Sequence, residues 1–227
     1  MNILVIDVGG THVKVGASNR RDRIEFPSGH EMSAQKMAKD VRKLVASWSY
    51  DRVSIGYPGP VVHDRIVREP YNLGKGWTEF DFGQVFDCPI RIVNDAAMQA
   101  LGSYDGGSML FLGLGTGLGS ALIVEGTLVP MELAHLPYRK HRTYEDYVGL
   151  AGLKRFGKKK WRRYVRDVVN RLKAALQTDY VVLGGGNARL LHKLPPDVRL
   201  GENTNAFRGG IRLCDPAVRA RAARHTT

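Results

Sequence analysis

The sequence predicts an α/β protein with mixed sheets, and three observations support this class. Short apolar runs typical of buried strands alternate with stretches of helical periodicity along the 227 residues. Two apolar hairpins carry glycines at their tips, one near the start of the chain and one near its middle. Because the second hairpin repeats the first, we expect a duplicated unit.

The first half predicts a hairpin, a helix, a strand and a strand followed by a helix. A strand over residues 3–7 is followed by the turn "VGG" and by the alternating strand "THVKVGAS". A helix is predicted over roughly 33–48, with Ser33 as its N-cap. "RVSIGYPGPV" is typical of a strand that ends in a Gly/Pro turn. "IRIVNDAAMQALGSY" is typical of a strand that runs into a helix opening at Asn94-Asp95.

The second half starts near Ser108 with the hairpin "LFLGLGTGLGSALIVEGTLVP". Later, "DYVVLGGGNARLL" predicts a strand, a triple glycine and a helix just past it. We therefore predict two lobes, residues 1–107 and 108–227, packed closely with a cleft between them. The tail after Asp215 has little apolar surface to bury and is expected to be disordered.

The positive charge is concentrated in one predicted helix. The chain has a net charge of +12, and the segment 154–173 holds ten Lys or Arg residues and one acid, Asp167. Apolar residues recur there at helical spacing and predict a buried stripe: Trp161, Tyr164, Val165, Val168, Val169, Leu172 and Leu176. The cations therefore cover the solvated face. This face is either a binding surface for a polyanion or a basic surface without a partner.

Composition excludes several classes of protein. With 43% hydrophobic residues the chain can bury a core, and its two cysteines, Cys88 and Cys214, form neither a disulfide framework nor a metal motif. The apolar start "MNILVIDVGG" is too short to cross a bilayer and has no basic segment before it. We expect a cytoplasmic protein without a membrane partner.

The glycine turns suit the binding of an anion. Backbone without Cβ atoms lets consecutive N–H groups approach a phosphate closely. "GLGTGLGSALIVEG" does not match G-x-G-x-x-G and leads into a strand, so a dinucleotide-binding turn is excluded. Gly74-Lys75 lacks the spacing of a P-loop. A plain hairpin with glycines for tight packing is the alternative for either copy.

Six motifs follow one another in a fixed order: "DVGGTHVKVG", "GYPGPV", "VNDAAMQA", "GLGTGLGSALI", "ELAH" and "VVLGGGNARLL". Together they resemble the ROK family of sugar kinases, within the actin, Hsp70 and hexokinase superfamily. The likeness extends to Asp215 and is closest to the polyphosphate/ATP glucokinase branch. It implies a duplicated ribonuclease H-like fold with two lobes and a central cleft. It also implies phosphoryl transfer from ATP or inorganic polyphosphate to a sugar hydroxyl, with glucose as the expected sugar.

The resemblance assigns roles around the donor and the reacting hydroxyl. Asp95 would be the general base, and its place at a helix start would favour its ionised form. Asn94 would hydrogen-bond the sugar, and Asp7 would act on a phosphate-bound Mg²⁺ directly or through water. The phosphate-binding candidates are Gly9, Gly10, Thr11, Lys14, Gly115, Thr116, Gly117, Gly184, Gly185 and Gly186. Taken without the other motifs, Asn94-Asp95 would be better explained as a helix cap.

The resemblance places further sugar ligands in the second half. Glu132 and His135 match a Glu-x-Gly-His pair that binds sugar hydroxyls, and Glu145 matches a further sugar-contacting glutamate. Asn72 is a weaker candidate for the same substrate. Carboxylates and an imidazole are suitable partners for a polyol. His135 by itself would more simply be a surface or core histidine.

Departures from the family pattern limit these roles. "LPYRKHRTYED" has no cysteine, so we expect no zinc, and Ala134 replaces the family's glycine, which leaves the sugar preference open. His12, in the first glycine turn, has no assigned role. A homodimer is implied, whereas a DNA-binding repressor is not expected, because those relatives carry a helix-turn-helix before the first strand.

Two further functional classes stay open. One is another kinase of the superfamily, such as type III pantothenate kinase, whose turn usually continues Asn-Thr and which would leave Glu132 and His135 without a role. The other is a non-catalytic sugar sensor or polyanion-binding protein with the same fold. An intact Asp95 favours an enzyme over this last class.

Overall fold

A computed structural model describes residues 1–202 and 204–215 of the chain. The strands are β1 Ile3–Val8, β2 His12–Ala17, β3 Arg23–Pro27, β4 Arg52–Tyr57, β5 Val61–Val62, β6 Arg65–Ile66, β7 Ile90–Asn94, β8 Ser108–Leu114, β9 Leu118–Val124, β10 Thr127–Met131, β11 Pro137–Arg139, β12 Arg142–Thr143, β13 Tyr180–Gly184 and β14 Val198–Leu200. The α-helices are α1 Ala34–Leu44, α2 Phe82–Phe86, α3 Asp95–Ser103, α4 Tyr144–Val148, α5 Leu150–Leu176 and α6 Asn205–Leu213.

Two five-stranded sheets repeat one topology. The first has the order β3-β2-β1-β4-β7 and the second the order β10-β9-β8-β13-β14. In each sheet the first three strands are antiparallel and the last two run parallel to the central strand. The predicted α/β class with duplicated, ribonuclease H-like mixed sheets is therefore confirmed.

The chain forms two compact units. One contains Met1–Gly102 together with the described residues 206–215, and the other contains the described residues of Ser103–Asn205. Most of α6 thus packs with the first unit, although the sequence assigned everything after 107 to one lobe. Glycines on α6 make this packing close: a Cβ at Gly209 would collide with the carbonyl of Met98, and one at Gly210 would collide with Val5.

The first unit is built around α1. Ser33 caps this helix as predicted, because its Oγ accepts a hydrogen bond from the Lys36 N–H at 3.2 Å. Met37 and Val41 face the core and are fully buried. The helix ends at Leu44, four residues before the predicted end.

In the second unit, α5 carries the predicted basic face. Trp161, Val165 and Leu172 are buried on its apolar side, and the Trp161 indole N–H donates to the Val148 carbonyl at 2.8 Å. Gly157 breaks the helix with φ 69° and ψ 161°, so α5 consists of two segments. The exposed cations therefore lie along a helix whose position is fixed by its core side.

The structure differs from the prediction at the helix expected after the triple glycine. The triple glycine is followed only by a short 3₁₀ helix, Ala188–Leu190, instead of an α-helix. Pro195 and Pro196 then end the segment before β14 begins. The tail predicted to be disordered after Asp215 lies outside the described residues. Among the described helices, none is long and apolar enough to cross a membrane.

Candidate active site

The junction of β7 and α3 positions Asn94 and Asp95. The Asn94 Oδ1 accepts a hydrogen bond from the Ala96 N–H at 2.9 Å, and its Nδ2 donates to the Gly59 carbonyl at 3.1 Å. Asp95 Oδ1 accepts from the same Ala96 N–H at 2.8 Å. Asn94 therefore caps the helix, as one interpretation of the sequence held, and holds the junction against the Gly/Pro turn after β4.

The surroundings of Asp95 favour its neutral carboxyl form. Burial raises the pKa of Asp95 to about 7, and the nearby Asp7 carboxylate raises it further against the lowering effect of the Ala96 hydrogen bond. We expected the helix start to favour the ionised form. That expectation was wrong, because loss of solvent and a like charge outweigh the helix terminus.

Asp7 lies in a row of charges across the first sheet. Burial raises the pKa of Asp7 to about 6, Lys14 lowers it and Glu25 raises it. Asp7 pairs in register with Lys14 on β2, which in turn pairs with Glu25 on β3. Lys14, a predicted phosphate ligand, is thus placed between two carboxylates.

The pair Asp7 and Asp95 gives a prediction for stability. Both carboxyls hold protons in the folded chain at pH values where the unfolded chain has lost them, so their contribution to stability falls as the pH rises from about 4 to about 7. EDTA is added so that no metal ion binds to Asp7. Under this condition, Asp7→Asn should raise the melting temperature more at pH 8 than at pH 5. Thermal melts at both pH values measure this difference, and an equal gain at the two would contradict it.

The first glycine turn is held by a serine that the sequence analysis missed. The Gly9 N–H donates to the His12 carbonyl at 2.9 Å and closes the turn. Ser28 donates from Oγ to the Gly9 carbonyl at 2.5 Å and from its N–H to the Thr11 carbonyl at 2.8 Å. Two carbonyls are thereby held in place. Only the register of β3 on β2 brings Ser28 here, and no local motif indicated it.

Two other side chains lie at this turn. Asn72, predicted for the sugar side, packs against Gly10, where an added Cβ would lie 3.3 Å from the Asn72 Cβ. The His12 Nδ1 lies 3.2 Å from the Thr11 Oγ1 and 3.8 Å from a Glu25 oxygen. Asn72 is therefore placed beside the predicted phosphate turn.

The second glycine turn has a corresponding support. The Gly115 N–H donates to the Gly117 carbonyl at 3.1 Å. Asn187 donates from Nδ2 to the Gly115 carbonyl at 2.9 Å and from its N–H to the Leu114 carbonyl at 3.0 Å. Gly185 has φ +80° and packs tightly on Leu114. The triple glycine and the second turn thus form one structure, joined by a residue that the sequence analysis did not select.

Glu145 lies directly on this second turn. Its Oε2 accepts a hydrogen bond from the Leu118 N–H at 3.0 Å, and a Cβ at Gly117 would collide with its carboxylate. A side chain at 117 would therefore displace the Glu145 carboxylate from this position. Glu145, predicted as a sugar ligand, is adjacent to the turn predicted for phosphate.

The "ELAH" loop is bonded to the helix that carries Glu145. The Glu145 N–H donates to the Ala134 carbonyl at 3.1 Å. Glu132 and His135 are exposed, with 4.0 Å between Oε1 and Nε2. The second unit thus places the three predicted sugar ligands Glu132, His135 and Glu145 on one connected segment.

The donor set fits magnesium. In the described part of the chain, no group of three or more His, Cys, Asp and Glu side chains is arranged to hold a metal ion. Mg²⁺ needs fewer protein ligands, because it keeps several waters and binds through one or two carboxylates together with substrate phosphates. Asp7, a part-buried carboxylate close enough to Asp95 to raise its pKa, is a suitable hard ligand.

The sheets and the paired glycine turns define a duplicated actin-like fold. The sequence matches the ROK family over residues 3–130. Because this match covers more than half of the chain, the protein belongs to the ROK family. The polyphosphate glucokinase of Mycobacterium tuberculosis (strain CDC 1551 / Oshkosh) is 28% identical over 212 residues, which cover 84% of this chain and 80% of that protein.

Solved structures show the same fold. The inorganic polyphosphate/ATP-glucomannokinase from Arthrobacter sp. strain KM superposes with a TM-score of 0.77 at 24% identity, covering 93% of this chain and 98% of that one. A ROK family glucokinase from Streptomyces griseus, in complex with glucose and AMPPNP, gives a TM-score of 0.73 at 15% identity, with 94% and 99% coverage. At these identities the likeness establishes the fold alone.

Proposed function

We propose that this protein is a cytoplasmic sugar kinase that transfers the terminal phosphoryl group of ATP or inorganic polyphosphate to a hexose hydroxyl. Glucose is the first candidate acceptor, because a relative that matches most of the chain is named polyphosphate glucokinase. The observation that carries the proposal is Asp95, a part-buried carboxyl at the start of α3 with its pKa raised to about 7. A base of this kind suits proton abstraction near neutral pH.

The chemistry assigned to Asp95 is a single proton transfer. The sugar oxygen forms a bond to the terminal phosphorus, the bond from that phosphorus to the bridging oxygen of the donor breaks, and the hydroxyl proton passes to the Asp95 carboxylate. ADP or a polyphosphate shortened by one unit leaves. Phosphoryl transfer needs mainly positioning and charge stabilisation beyond this base. The raised pKa makes Asp95 a stronger proton acceptor than an ordinary aspartate.

Donor phosphates would be bound by backbone N–H groups and a few side chains. The turn around Gly9–Thr11 in the first unit and the turn around Gly115–Gly117 in the second are each fixed by a polar side chain, Ser28 or Asn187. When bound, Mg²⁺ would neutralise phosphate charge, and Asp7 would hold it directly or through water. Fixed turns of this type bind phosphate without reorganising.

The sugar would be recognised by side chains whose polar atoms are still available. Glu132 and His135 are exposed and held near each other. Asn94 uses one amide hydrogen on Gly59 and could offer the other to a hydroxyl. Glu145 binds the Leu118 N–H through one of its two oxygens. We assign these residues, with Asn72, to hydroxyl contacts of the acceptor.

A panel of acceptors and donors tests the proposal. Glucose, mannose and fructose are each incubated with Mg²⁺ and either ATP or long-chain polyphosphate, and the phosphorylated sugar is measured. We expect turnover with glucose and at least one of the two donors. Sugar binding without turnover for every pair would contradict the proposal and favour a sugar sensor.

A further inference from the structure

A basic hairpin lies against the basic helix, which the sequence did not indicate. The Tyr138 hydroxyl donates to Asp167 Oδ2 at 2.5 Å, and Arg139 Nη2 donates to the same oxygen at 3.2 Å. These bonds fix strand β11 on α5. The Arg139 guanidinium is thereby added to the cations of the helix.

A groove of about 350 Å³ separates the hairpin from the helix. Its lining residues are Arg139, Lys160, Arg163, Tyr164 and Asp167. Asp167 is already bonded to Tyr138, Arg139 and Arg171. Among the described residues that line the groove, Asp167 is the single acid, and its carboxylate is already hydrogen-bonded. The groove therefore has an excess of positive charge from Arg139, Lys160 and Arg163. Lys160 and Arg163 are exposed and carry their charges into solvent.

We propose that this groove binds a run of phosphates of an inorganic polyphosphate chain, beyond the phosphate that reacts. Guanidinium groups such as Arg139 and Arg163 bind phosphate oxygens in a bidentate manner, and Lys160 supplies a compact charge. Lys160 to Asp167 spans about 10 Å of straight helix, enough for several consecutive phosphates. The inference rests on the proposed kinase activity for the claim that the bound chain is the donor.

The groove and the second glycine turn lie on connected elements, so a long donor chain can contact both. The helix starts at the second glycine turn, where the Leu150 N–H donates to the Thr116 carbonyl at 3.1 Å. The groove lies on the segment of α5 after the Gly157 break, where Tyr164 packs at 4.8 Å on Tyr147 of α4, the helix that also carries Glu145. A long chain has enough phosphates to occupy the turn and the groove together, whereas a short donor held at the turn has few left for the groove.

The groove suits polyphosphate better than nucleic acid. Binding of single-stranded nucleic acid generally uses aromatic rings on which bases stack. The ring of Tyr164 is instead packed against Tyr147 at 4.8 Å, Phe156 at 5.0 Å and the Arg139 guanidinium at 5.9 Å. The groove thus offers cations without a free stacking surface.

Charge reversal in the groove tests the proposal kinetically. In the double variant Lys160→Glu/Arg163→Glu, the KM for long-chain polyphosphate should rise by about tenfold or more, because attraction to the chain is lost. The KM values for ATP and tripolyphosphate should stay within about twofold, since a short donor bound at the turn has few phosphates left to contact the groove. The matched control is Lys39→Glu/Lys43→Glu, two exposed cations of α1. Equal effects in both double variants, or an equal rise for ATP, would overturn the proposal.

A binding measurement separates this proposal from the kinase activity. Fluorescent long-chain polyphosphate is titrated into Asp95→Asn protein with and without the groove substitutions, at two salt concentrations. Weaker binding in the groove variant supports the site even if no sugar is phosphorylated, in which case only the donor role fails. Unchanged binding overturns the site. Displacement by single-stranded RNA at lower phosphate concentration than by unlabelled polyphosphate would assign the groove to nucleic acid instead.

Discussion

Asp95→Asn is expected to lower kcat for sugar phosphorylation by about 10²–10⁴-fold, the usual contribution of a general base. The amide has nearly the same shape as the carboxyl and can still accept the Ala96 N–H bond, so the start of α3 should keep its structure. The substitution removes the proton acceptor and leaves the hydrogen bond. Steady-state kinetics with saturating sugar and donor measure the loss.

The control is Asp40→Asn, a half-buried aspartate of α1 that pairs with Lys36 in the same unit. It should leave kcat unchanged, because a surface ion pair contributes little and lies outside the assigned site. The melting temperature of Asp95→Asn should not fall, since a buried charge and its repulsion with Asp7 are removed. A folded Asp95→Asn protein with nearly normal kcat would eliminate Asp95 as the base.

Gly117→Ala is expected to lower kcat/KM for the sugar by about 10²-fold, because a small displacement of a positioning group can have an effect of this size. The new methyl group would collide with the Glu145 carboxylate and break its bond to the Leu118 N–H. The obstructing atom is the end of a side chain, so the fold should survive while Glu145 moves. Steady-state kinetics measure the loss of activity, and a thermal melt checks that the fold is retained.

A double-mutant cycle decides whether Glu145 transmits the effect. In the Glu145→Ala background the collision no longer exists, so Gly117→Ala should add little further loss. Losses that multiply in the double variant would contradict this explanation and would point to a direct effect on the donor turn.

Much of the fold was predictable, because its signals are local. Apolar runs with glycine turns predicted both hairpins, and Ser33 marked the start of α1. The apolar stripe of α5 predicted its buried face, including Trp161. The duplication was visible because the same glycine pattern occurs twice, and the two sheets repeat the same strand order.

The remaining features depend on contacts between segments distant in sequence. Ser28 and Asn187 hold the two glycine turns from other strands, and neither lies in a motif that names its partner. The raised pKa of Asp95 depends first on burial and then on Asp7, which β1 and β4 bring near β7. The packing of Arg139 on α5 likewise requires the folded hairpin. Local sequence patterns do not show which distant segments come into contact, so these features could not be predicted from them.

A phosphorus NMR time course with glucose, Mg²⁺ and either ATP or long-chain polyphosphate tests the central claim most directly. The account predicts a growing sugar monophosphate ester signal with at least one donor, at the expense of terminal donor phosphate, and none with Asp95→Asn. Release of inorganic phosphate alone, or unchanged spectra with both donors while glucose binds, would contradict the assignment of this protein as a sugar kinase.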